Sequence, residues 1–445
     1  MTTDATARNR RIVWLFRPFA KVEPEEAASV AVLALTVFLI LTAYYLLKTA
    51  REPLILLHGG AEVKSYAAAG QSILLVIVAR VYSDIAKRVG RLKLLAIVYL
   101  FFISNLALFA VLTRAGVPIS VPFYLWVGIF NVTAVAQFWS FAADVYTPEQ
   151  GKRLFAVLGI GSSVGAVAGA RFARELVNLG PEGLMVAAAL ILLVVLGLIA
   201  VTDQRLLKGR QSRPSGQKDA PLVAGKAFSI LARDKYLLLI AALTLLLNWV
   251  NSNGEYLLDR TLLASLGHLE GAEAARFVGA FKAEYFQWVN IVGVLLQLFV
   301  VSRILARLGV RNALLFLPAV AFFSYGVMLV APVLALIRAG KIAENSLDYS
   351  VQNTSRQALF LVTSPVEKYV GKQVVDTLLV RLGDVLSAIA VAIGVFWALP
   401  IEGFAALNLV LVALWFTVVF AIGREHARRS SEPPDKMLPS EKAAA

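Results

Sequence analysis

Apolar runs of about 20 residues recur along the chain, and they constrain its fold more than any other feature. A helix of about 20 apolar residues can cross roughly 30 Å of hydrocarbon. So many runs in series exclude an ordinary soluble fold. We predict an all-α polytopic membrane protein with twelve transmembrane spans. They are residues 26–48, 65–86, 92–114, 119–143, 153–176, 181–202, 236–258, 281–301, 312–331, 335–362, 372–398 and 402–423.

Basic residues are distributed unevenly between the predicted loops. The chain has 43 Lys and Arg against 29 Asp and Glu, a formal net charge of +14. Most of these cations lie in the termini and in every second loop, which is typical of cytoplasmic segments. Topology therefore explains the charge, and no nucleic-acid partner is expected. We predict a monomer in the lipid bilayer of the cell inner (plasma) membrane, multi-pass, with both termini cytoplasmic.

One long polar segment interrupts the apolar runs. Residues 203–235 are rich in Gly, Ser, Pro and charge, the composition of a flexible linker. Short motifs before and after it resemble each other. The pairs are "YYLLK" (44–48) with "EYLLD" (255–259), "AKRVGRLKLL" (86–95) with "ARLGVRNALL" (306–315), and "YTPEQGKR" (146–153) with "TSPVEKYVGK" (363–372). Their common order and nearly constant spacing predict a duplication of six helices.

The duplication predicts an N-terminal six-helix half (1–202), a cytoplasmic linker (203–235) and a C-terminal six-helix half with a cytoplasmic tail (236–445). The basic turns at 83–95 and 302–315 are similar to the loop rich in Asp, Gly and Arg of major facilitator transporters. We therefore expect a major facilitator-like arrangement of two pseudo-symmetric halves.

Polar residues inside the predicted spans are the main functional signal. An ionisable group in hydrocarbon costs roughly 2.5 to 3.5 kcal/mol, so such groups usually face a cavity or a partner. The tenth span carries a stripe at helical spacing, predicted to line one face. Its members are Asn345, Asp348, Tyr349, Gln352 and Arg356. The first span ends in "TAYYLLKTAREPL" and the seventh in "NWVNSNGEYLLDR", both rich in charge.

Internal ion pairs are the alternative explanation for these polar residues. The candidate pairs are Lys48 with Glu52, Lys341 with Glu344, and Lys282 with Glu284. Pairs held only for structure are costly substitutes for apolar side chains, so the whole set favours a cavity. In the fifth span, Gly161, Gly165 and Gly169 lie four residues apart, which predicts close helix packing.

Metal and cofactor chemistry is not expected. The chain has no Cys and three His, so it lacks thiolate ligands and has few imidazoles. A membrane enzyme would need a catalytic cluster, and none is evident in the sequence. A transporter is therefore favoured over an enzyme or a non-transporting membrane scaffold.

Three stretches carry a family resemblance. They are "YYLLKTAREPLIL", "FWSFAADVYTPEQGKRLFAVLGIGSSVGAVAG" and "KIAENSLDYSVQNTSRQALFLVTSPVEKYVGKQVVDTLLVRLG". They resemble the nucleotide transporter family, the ATP/ADP translocases of plastids and intracellular bacteria. The resemblance implies a twelve-helix fold and exchange of nucleotides. It places Arg51 and Arg356 on functional lysines and Glu255 on an acidic residue. Three positions depart from the pattern, namely Val127, Asp259 and Asp384.

The residues themselves suit an anionic substrate. Phosphates need Lys and Arg, with Arg offering a two-pronged contact, and a base needs aromatic and amide partners. The predicted substrate-binding residues are Tyr44, Lys48, Arg51, Asn251, Glu255, Lys282, Gln287, Trp288, Lys341, Tyr349, Gln352, Arg356 and Arg381. The predicted coupling or gating residues are Asp84, Asp144, Asp259, Asp348 and Asp376.

We predict a secondary transporter, an antiporter that exchanges nucleotides of the ATP/ADP type by alternating access. The substrate's negative groups are expected to bind Arg51 and Arg356, which come from opposite halves of the sequence. The alternative is a proton-coupled transporter of another organic or phosphorylated anion, such as a siderophore or metabolite.

Overall fold

The computed structural model describes residues 20–86, 88–89, 91–206, 234–363, 371–372 and 374–431. Most of the predicted linker lies outside the described residues. Within them the chain is helical almost throughout and has no strand. The α-helices are α1 (Ala27–Ala86), α2 (Arg91–Arg114), α3 (Ser120–Val145), α4 (Pro148–Glu175), α5 (Gly180–Leu206), α6 (Lys235–Ala264), α7 (Gly271–Phe299), α8 (Val301–Ala313), α9 (Phe316–Val330), α10 (Leu334–Leu347), α11 (Asn353–Leu359), α12 (Val380–Phe396) and α13 (Ile401–Ser431).

Short helical segments of other geometry connect some of these helices. Two π-helical turns, Asp348–Gln352 and Val375–Leu379, precede α11 and α12. The 3₁₀ turn Val177–Leu179 precedes α5, and the 3₁₀ turn Phe360–Val362 follows α11. The polar tenth span is therefore one helical run that changes geometry in its middle.

Seven helices of the described residues are long and apolar enough to cross a membrane. The number is eight if α7 and α8, which meet at an angle of 77°, form one bent span. The first two predicted spans both lie in α1, which breaks at Gly60, where φ is 77°. The chain is thus a multi-pass membrane protein, and the count of twelve spans stays a prediction.

The chain divides into two compact units. The N unit contains Met1–Gly59, Leu74–Pro214 and Leu266–Asn290. The C unit contains Gly60–Ile73, Ser215–Ser265 and Ile291–Ala445. Each unit therefore includes a short segment that the sequence assigns to the other half. The predicted boundaries at residues 202 and 236 stay a prediction.

Glycines bring α4 and α1 together in the N unit. A Cβ on Gly161 would lie 2.8 Å from the Ala34 carbonyl oxygen, and one on Gly165 would clash with the Phe38 carbonyl. The Thr42 hydroxyl donates to the Gly165 carbonyl at 3.3 Å. The predicted close packing along this glycine stripe is confirmed.

Aromatic rings fill the contact between α2 and α3. Trp126 stacks on Phe123 and Phe130, with interplanar angles of 14° and 8°. Phe102 and Phe109 of α2 meet Trp126 edge to face. Such offset and edge contacts are the favoured geometries of aromatic pairs. These rings form a rigid wall in the N unit.

In the C unit, α6 packs against α10, α12 and α13. Gly383 of α12 allows the close approach, because a Cβ there would lie 2.6 Å from the Asn248 Cβ. Gly254 of α6 is equally constrained, since a Cβ would clash with the Tyr325 hydroxyl. Helix α6 is therefore the central element of this unit.

An ion pair joins the start of α1 to α4. Arg153 donates to Glu26 Oε1 at 2.9 Å, and Gln150 donates to the same oxygen at 3.0 Å. Gln150 also completes a capping box with Thr147 at the start of α4. Burial raises the pKa of Glu26, but the hydrogen bonds and the charge of Arg153 outweigh burial and hold the pKa below its usual value.

Candidate functional site

Lys48 lies among aromatic rings in the N unit. Its Nζ is 4.0 Å from the ring centroid of Phe286, which belongs to α7, and 5.3 Å from that of Tyr45. The Tyr44 centroid is 6.0 Å away. An aromatic face attracts a cation through its quadrupole, so the rings hold the ammonium without neutralising it. The Lys48 ammonium is thus held against a group of aromatic rings inside the unit.

Arg51 follows one helical turn later on α1. Its Cζ lies 4.5 Å from the Tyr124 ring centroid, and its Nε donates to Glu52 Oε1 at 3.1 Å. The side chain is only 12% exposed. No described residue accepts a hydrogen bond from the two terminal nitrogens of this guanidinium. The edge that best recognises phosphate or carboxylate is therefore unused within the described part of the chain.

Lys282 of α7 completes the positive group. It is fully buried, and its Nζ lies 3.9 Å from Glu52 Oε2 and 5.4 Å from the Tyr285 ring centroid. Glu52 is fully buried as well. The Glu52 carboxylate therefore lies beside both Arg51 and Lys282. The sequence analysis considered two other pairs, Lys48 with Glu52 and Lys282 with Glu284.

A further ion pair extends this group of charged side chains. Arg174 of α4 lies 3.9 Å from Glu284 of α7, which adds one cation and one carboxylate. The group then contains four cationic and two acidic side chains. We call these six residues the N-unit cation cluster. They are Lys48, Arg51, Arg174, Lys282, Glu52 and Glu284.

Lys341 forms a buried polar network in the C unit. Its Nζ donates to Asn251 Oδ1 at 2.7 Å and to Glu344 Oε2 at 3.2 Å. Tyr325 of α9 also donates to Glu344 Oε2, at 3.1 Å. Lys341 is fully buried and Glu344 is 4% exposed. The Lys341–Glu344 pair considered from the sequence is thus confirmed.

Further carboxylates of the C unit are held by neutral or cationic donors. Asn345 donates to Glu255 Oε1 at 2.9 Å. Lys64 donates to Asp259 Oδ2 at 2.7 Å, and both side chains are buried. Asp259 was predicted to couple or gate, and the structure places it in an ion pair with α1.

Asp384 accepts two hydroxyl hydrogen bonds. Ser252 donates to its Oδ1 at 2.8 Å and Ser72 to its Oδ2 at 3.0 Å. In the described part of the chain, no three His, Asp or Glu side chains are grouped as metal ligands.

The predicted stripe of the tenth span does not share one environment. Asn345 and Gln352 are buried, Asp348 and Arg356 are half-buried, and Tyr349 is 52% exposed. The cause is the π turn at Asp348–Gln352, in which the Asn353 N–H donates to the Asp348 carbonyl. A π turn holds more residues than an α turn, so the 3.6-residue period fails across it.

The remaining predicted residues differ in exposure, and Arg381 interacts electrostatically with Asp384. Gln287 and Arg381 are half-buried, and Trp288 is 47% exposed. Asp84 and Asp144 are exposed. The side chain of Asp376 lies outside what the structure describes.

Some residues of these networks were not predicted. Lys64 fell between the first two predicted spans, whereas α1 continues through it. Tyr124 could not be identified from the sequence, because its contact with Arg51 depends on α3 lying beside α1. Tyr325 sits in an otherwise apolar span, and that isolation is a signal that could have identified it.

The fold is shared with transporters of known structure. A nucleoside transporter, NupG, matches with a TM-score of 0.63 at 13% identity, covering 91% of this chain and 99% of that one. An auto-inhibited POT family peptide transporter matches at 0.61 with 13% identity, over 92% and 98% of the two chains. The protein therefore has the all-α, major facilitator-like fold of multi-pass membrane transporters.

Sequence comparison finds distant relatives among ADP,ATP carrier proteins. The chain is 21% identical to ADP,ATP carrier protein 1 of Chlamydia pneumoniae over 360 residues, which is 71% of this chain and 68% of the relative. It is 23% identical to ADP,ATP carrier protein 4 of Rickettsia conorii, over 66% of each chain. A carrier of Rickettsia felis matches at 22%, over 64% and 62%. No family model matches the chain. The chain is thus similar to carriers that are named for ADP and ATP, the family that the sequence resemblance suggested.

The chain spans about two thirds of the length of these relatives, from 62% to 68%.

Proposed function

We propose that the protein is an antiporter that exchanges nucleotides of the ATP/ADP type across the membrane by alternating access. The observation that carries the proposal is the half-buried Arg51 guanidinium, whose terminal nitrogens meet no described acceptor. Glu52 engages only Nε, so a ligand can bind the terminal nitrogens without displacing this carboxylate. A phosphate group fits this edge because two parallel N–H···O contacts can form.

The composition of the N-unit cation cluster supports the same substrate class. Lys48 and Lys282 add two ammonium groups close to aromatic rings. Ammonium and guanidinium groups suit phosphates, and the rings offer flat surfaces for a base. The names of the relatives, ADP,ATP carrier proteins, agree with this chemistry.

The remaining parts of the proposal follow from the sequence. The carrier acts as a monomer in the cell inner (plasma) membrane, with both termini cytoplasmic as the alternation of basic loops predicts. Residues 203–235 are proposed as the linker between its halves.

Exchange is tested with purified protein in proteoliposomes. Labelled ATP is supplied outside, and the vesicles contain ADP, AMP, a non-nucleotide anion or buffer alone. We expect uptake to be stimulated by internal ADP and not by the non-nucleotide anion. Equal uptake under all four internal conditions would exclude exchange. Uptake of an unrelated anion in place of ATP would exclude a nucleotide substrate.

A further inference from the structure

Helix α8 turns away from α7 instead of continuing it. The two helices meet at 77°, and α8 itself breaks at Gly309, where φ is 73°. It carries arginines at positions 303, 307 and 311, so the hydrocarbon core is an unfavourable place for it. The predicted spans 281–301 and 312–331 flank it. A polar helix that turns aside between two spans lies at the membrane surface.

The two faces of α8 differ. Val301 and Ile304 are buried in one apolar cluster with Val351, which belongs to the π turn of the tenth span. Arg303 and Arg307 are exposed, and their separation of four residues places them on a common face. Helix α8 therefore packs its apolar face against the tenth span and leaves its cationic face exposed.

The arginines of α8 have no carboxylate partner among the described residues. Arg303 donates to the Phe299 carbonyl, and the Cζ of Arg311 lies 5.8 Å from the Phe420 ring centroid on α13. The Arg307 side chain makes no ion pair, hydrogen bond or ring contact with the described part of the chain. The positive charges of these arginines are thus not balanced by an ion pair within it.

Acidic side chains are also absent from the neighbouring sequence. The chain contains no Asp or Glu between Glu284 and Glu344. At the end of α13, Glu425 pairs with Arg428 and Arg429. The exposed surface of α8 is therefore positive, and the partner that complements it is an anion from outside the described chain.

We propose that Arg303, Arg307 and Arg311 form a surface that binds the headgroups of anionic phospholipids. Guanidinium groups suit phosphates because they can form two parallel contacts. A basic segment beside the membrane also attracts an anionic leaflet. Arg303 and Arg307 lie about 6 Å apart along the helix, so each can meet its own headgroup. A leaflet supplies several such groups side by side, whereas a soluble phosphate supplies one.

Lipid binding at this surface has a consequence for the tenth span. Because α8 packs against Val351, headgroups that hold α8 at the membrane surface also hold the π turn. The effect on transport rests on the proposed function, since a held π turn matters to transport only if the protein exchanges a substrate. Lipid binding itself does not depend on that function.

The first test measures lipid binding to the purified full-length protein in detergent, without nucleotide. The probe is fluorescent phosphatidylglycerol, with phosphatidylcholine as the zwitterionic comparison. We expect phosphatidylglycerol to bind more tightly, and added salt to weaken its binding. Arg307→Gln should lower the affinity about fivefold, which corresponds to about 1 kcal/mol, and Arg303→Gln combined with Arg307→Gln should lower it about twentyfold. The matched control is Arg276→Gln, an exposed arginine of α7, which should bind with the native affinity.

The Arg307 side chain has no described contact, so the Arg307→Gln variant should fold as the native protein does. An affinity unchanged by these variants overturns the proposal, as does equal binding of the two lipids. Displacement of the lipid by inorganic phosphate at equal concentration would identify a simple phosphate site and overturn the lipid surface. Displacement by a peptide of residues 432–445 would make the C-terminal tail the occupant and overturn it as well.

The second test compares the exchange of external ATP for internal ADP in phosphatidylcholine proteoliposomes with and without phosphatidylglycerol. We expect phosphatidylglycerol to stimulate exchange by the native protein and by Arg276→Gln, and to have a smaller effect on the variant that combines Arg303→Gln with Arg307→Gln. Exchange that does not respond to phosphatidylglycerol overturns the link to transport. Lipid binding at α8 in a protein that does not exchange nucleotides would support the lipid surface and exclude the proposed function.

Discussion

The Arg51 guanidinium lies over the Tyr124 ring, with Cζ 4.5 Å from the ring centroid. Together with the bond from Nε to Glu52, this contact fixes the plane of the guanidinium. A fixed plane reduces the entropy lost when a ligand binds, because the two terminal nitrogens are already aligned. Substitution of Arg51 should therefore weaken ligand binding while the protein still folds.

Arg51→Ala should weaken nucleotide binding about ten- to a hundredfold. The reason is the loss of a charge-assisted contact, which contributes roughly 1.5 to 3 kcal/mol. Arg51→Lys should give an intermediate loss, since it keeps the charge but not the two-pronged geometry. Affinity can be measured by calorimetry or by ligand-induced thermal stabilisation of the purified protein.

The control for this prediction is Arg171→Ala. Arg171 pairs with Glu175 on α4, and both side chains are more than half exposed. The Arg171→Ala variant should bind nucleotide with the affinity of the native protein. If Arg51→Ala folds and binds with unchanged affinity, the N-unit cation cluster is not the phosphate site.

The glycine stripe of α4 gives a prediction about stability. Gly165→Ala should destabilise the protein by about 1 to 3 kcal/mol, because the added Cβ clashes with the Phe38 carbonyl and forces α4 away from α1. Gly159→Ala is the matched control on the same helix, since nothing lies within 4 Å of its Cβ position. It should be neutral or slightly stabilising. Thermal unfolding in detergent measures both, and equal melting temperatures would show that the close packing is not required.

The Glu26–Arg153 pair predicts how stability depends on pH. The pKa of Glu26 is lowered in the folded protein, below the usual 4.5. Its contribution to stability is therefore complete above pH 4.5 and is lost as the pH falls through the lower, folded-state pKa. Glu26→Gln should lower stability by about 1 kcal/mol at neutral pH and have a smaller effect in acid.

Melting temperatures of the native protein and Glu26→Gln, compared between pH 7 and the most acidic pH that keeps the protein folded, test this sign. Glu149→Gln, an exposed change on the same helix as Arg153, serves as the control. A difference between native and Glu26→Gln that grows towards acid would contradict the prediction.

The absence of cysteine from the chain allows a clean test of topology. Ser215→Cys should be inaccessible to a membrane-impermeant thiol reagent in intact cells and should react after permeabilisation. His268→Cys, at an exposed position, should react in intact cells. Labelling of position 215 from outside would reverse the predicted orientation.

The sequence predicts contacts within one helix better than contacts between helices. The Lys341–Glu344 pair and the glycine stripe follow from spacing along a helix, and the structure contains both. The Lys64–Asp259 pair and the bonds from Ser72 and Ser252 to Asp384 join residues far apart in the chain. Such pairs depend on which helices are neighbours, and hydropathy alone does not specify this.

The polar stripe of the tenth span shows a second limit. Four of its five members lie in or after the π turn, and one wide turn rotates everything that follows. Nothing in the composition of "DYSVQ" distinguishes it from an α-helical turn. Geometry that is set by neighbouring elements cannot be derived from local spacing.

The π turn at Asp348–Gln352 also has an evolutionary consequence. Deleting one residue from an α-helix rotates the following part by about 100° and would carry a face such as that of Arg356 away from its neighbours. A π turn already contains an extra residue, so a deletion there can be absorbed by tightening to α geometry. This segment can therefore lose a residue during divergence while the flanking helices keep their faces and their partners.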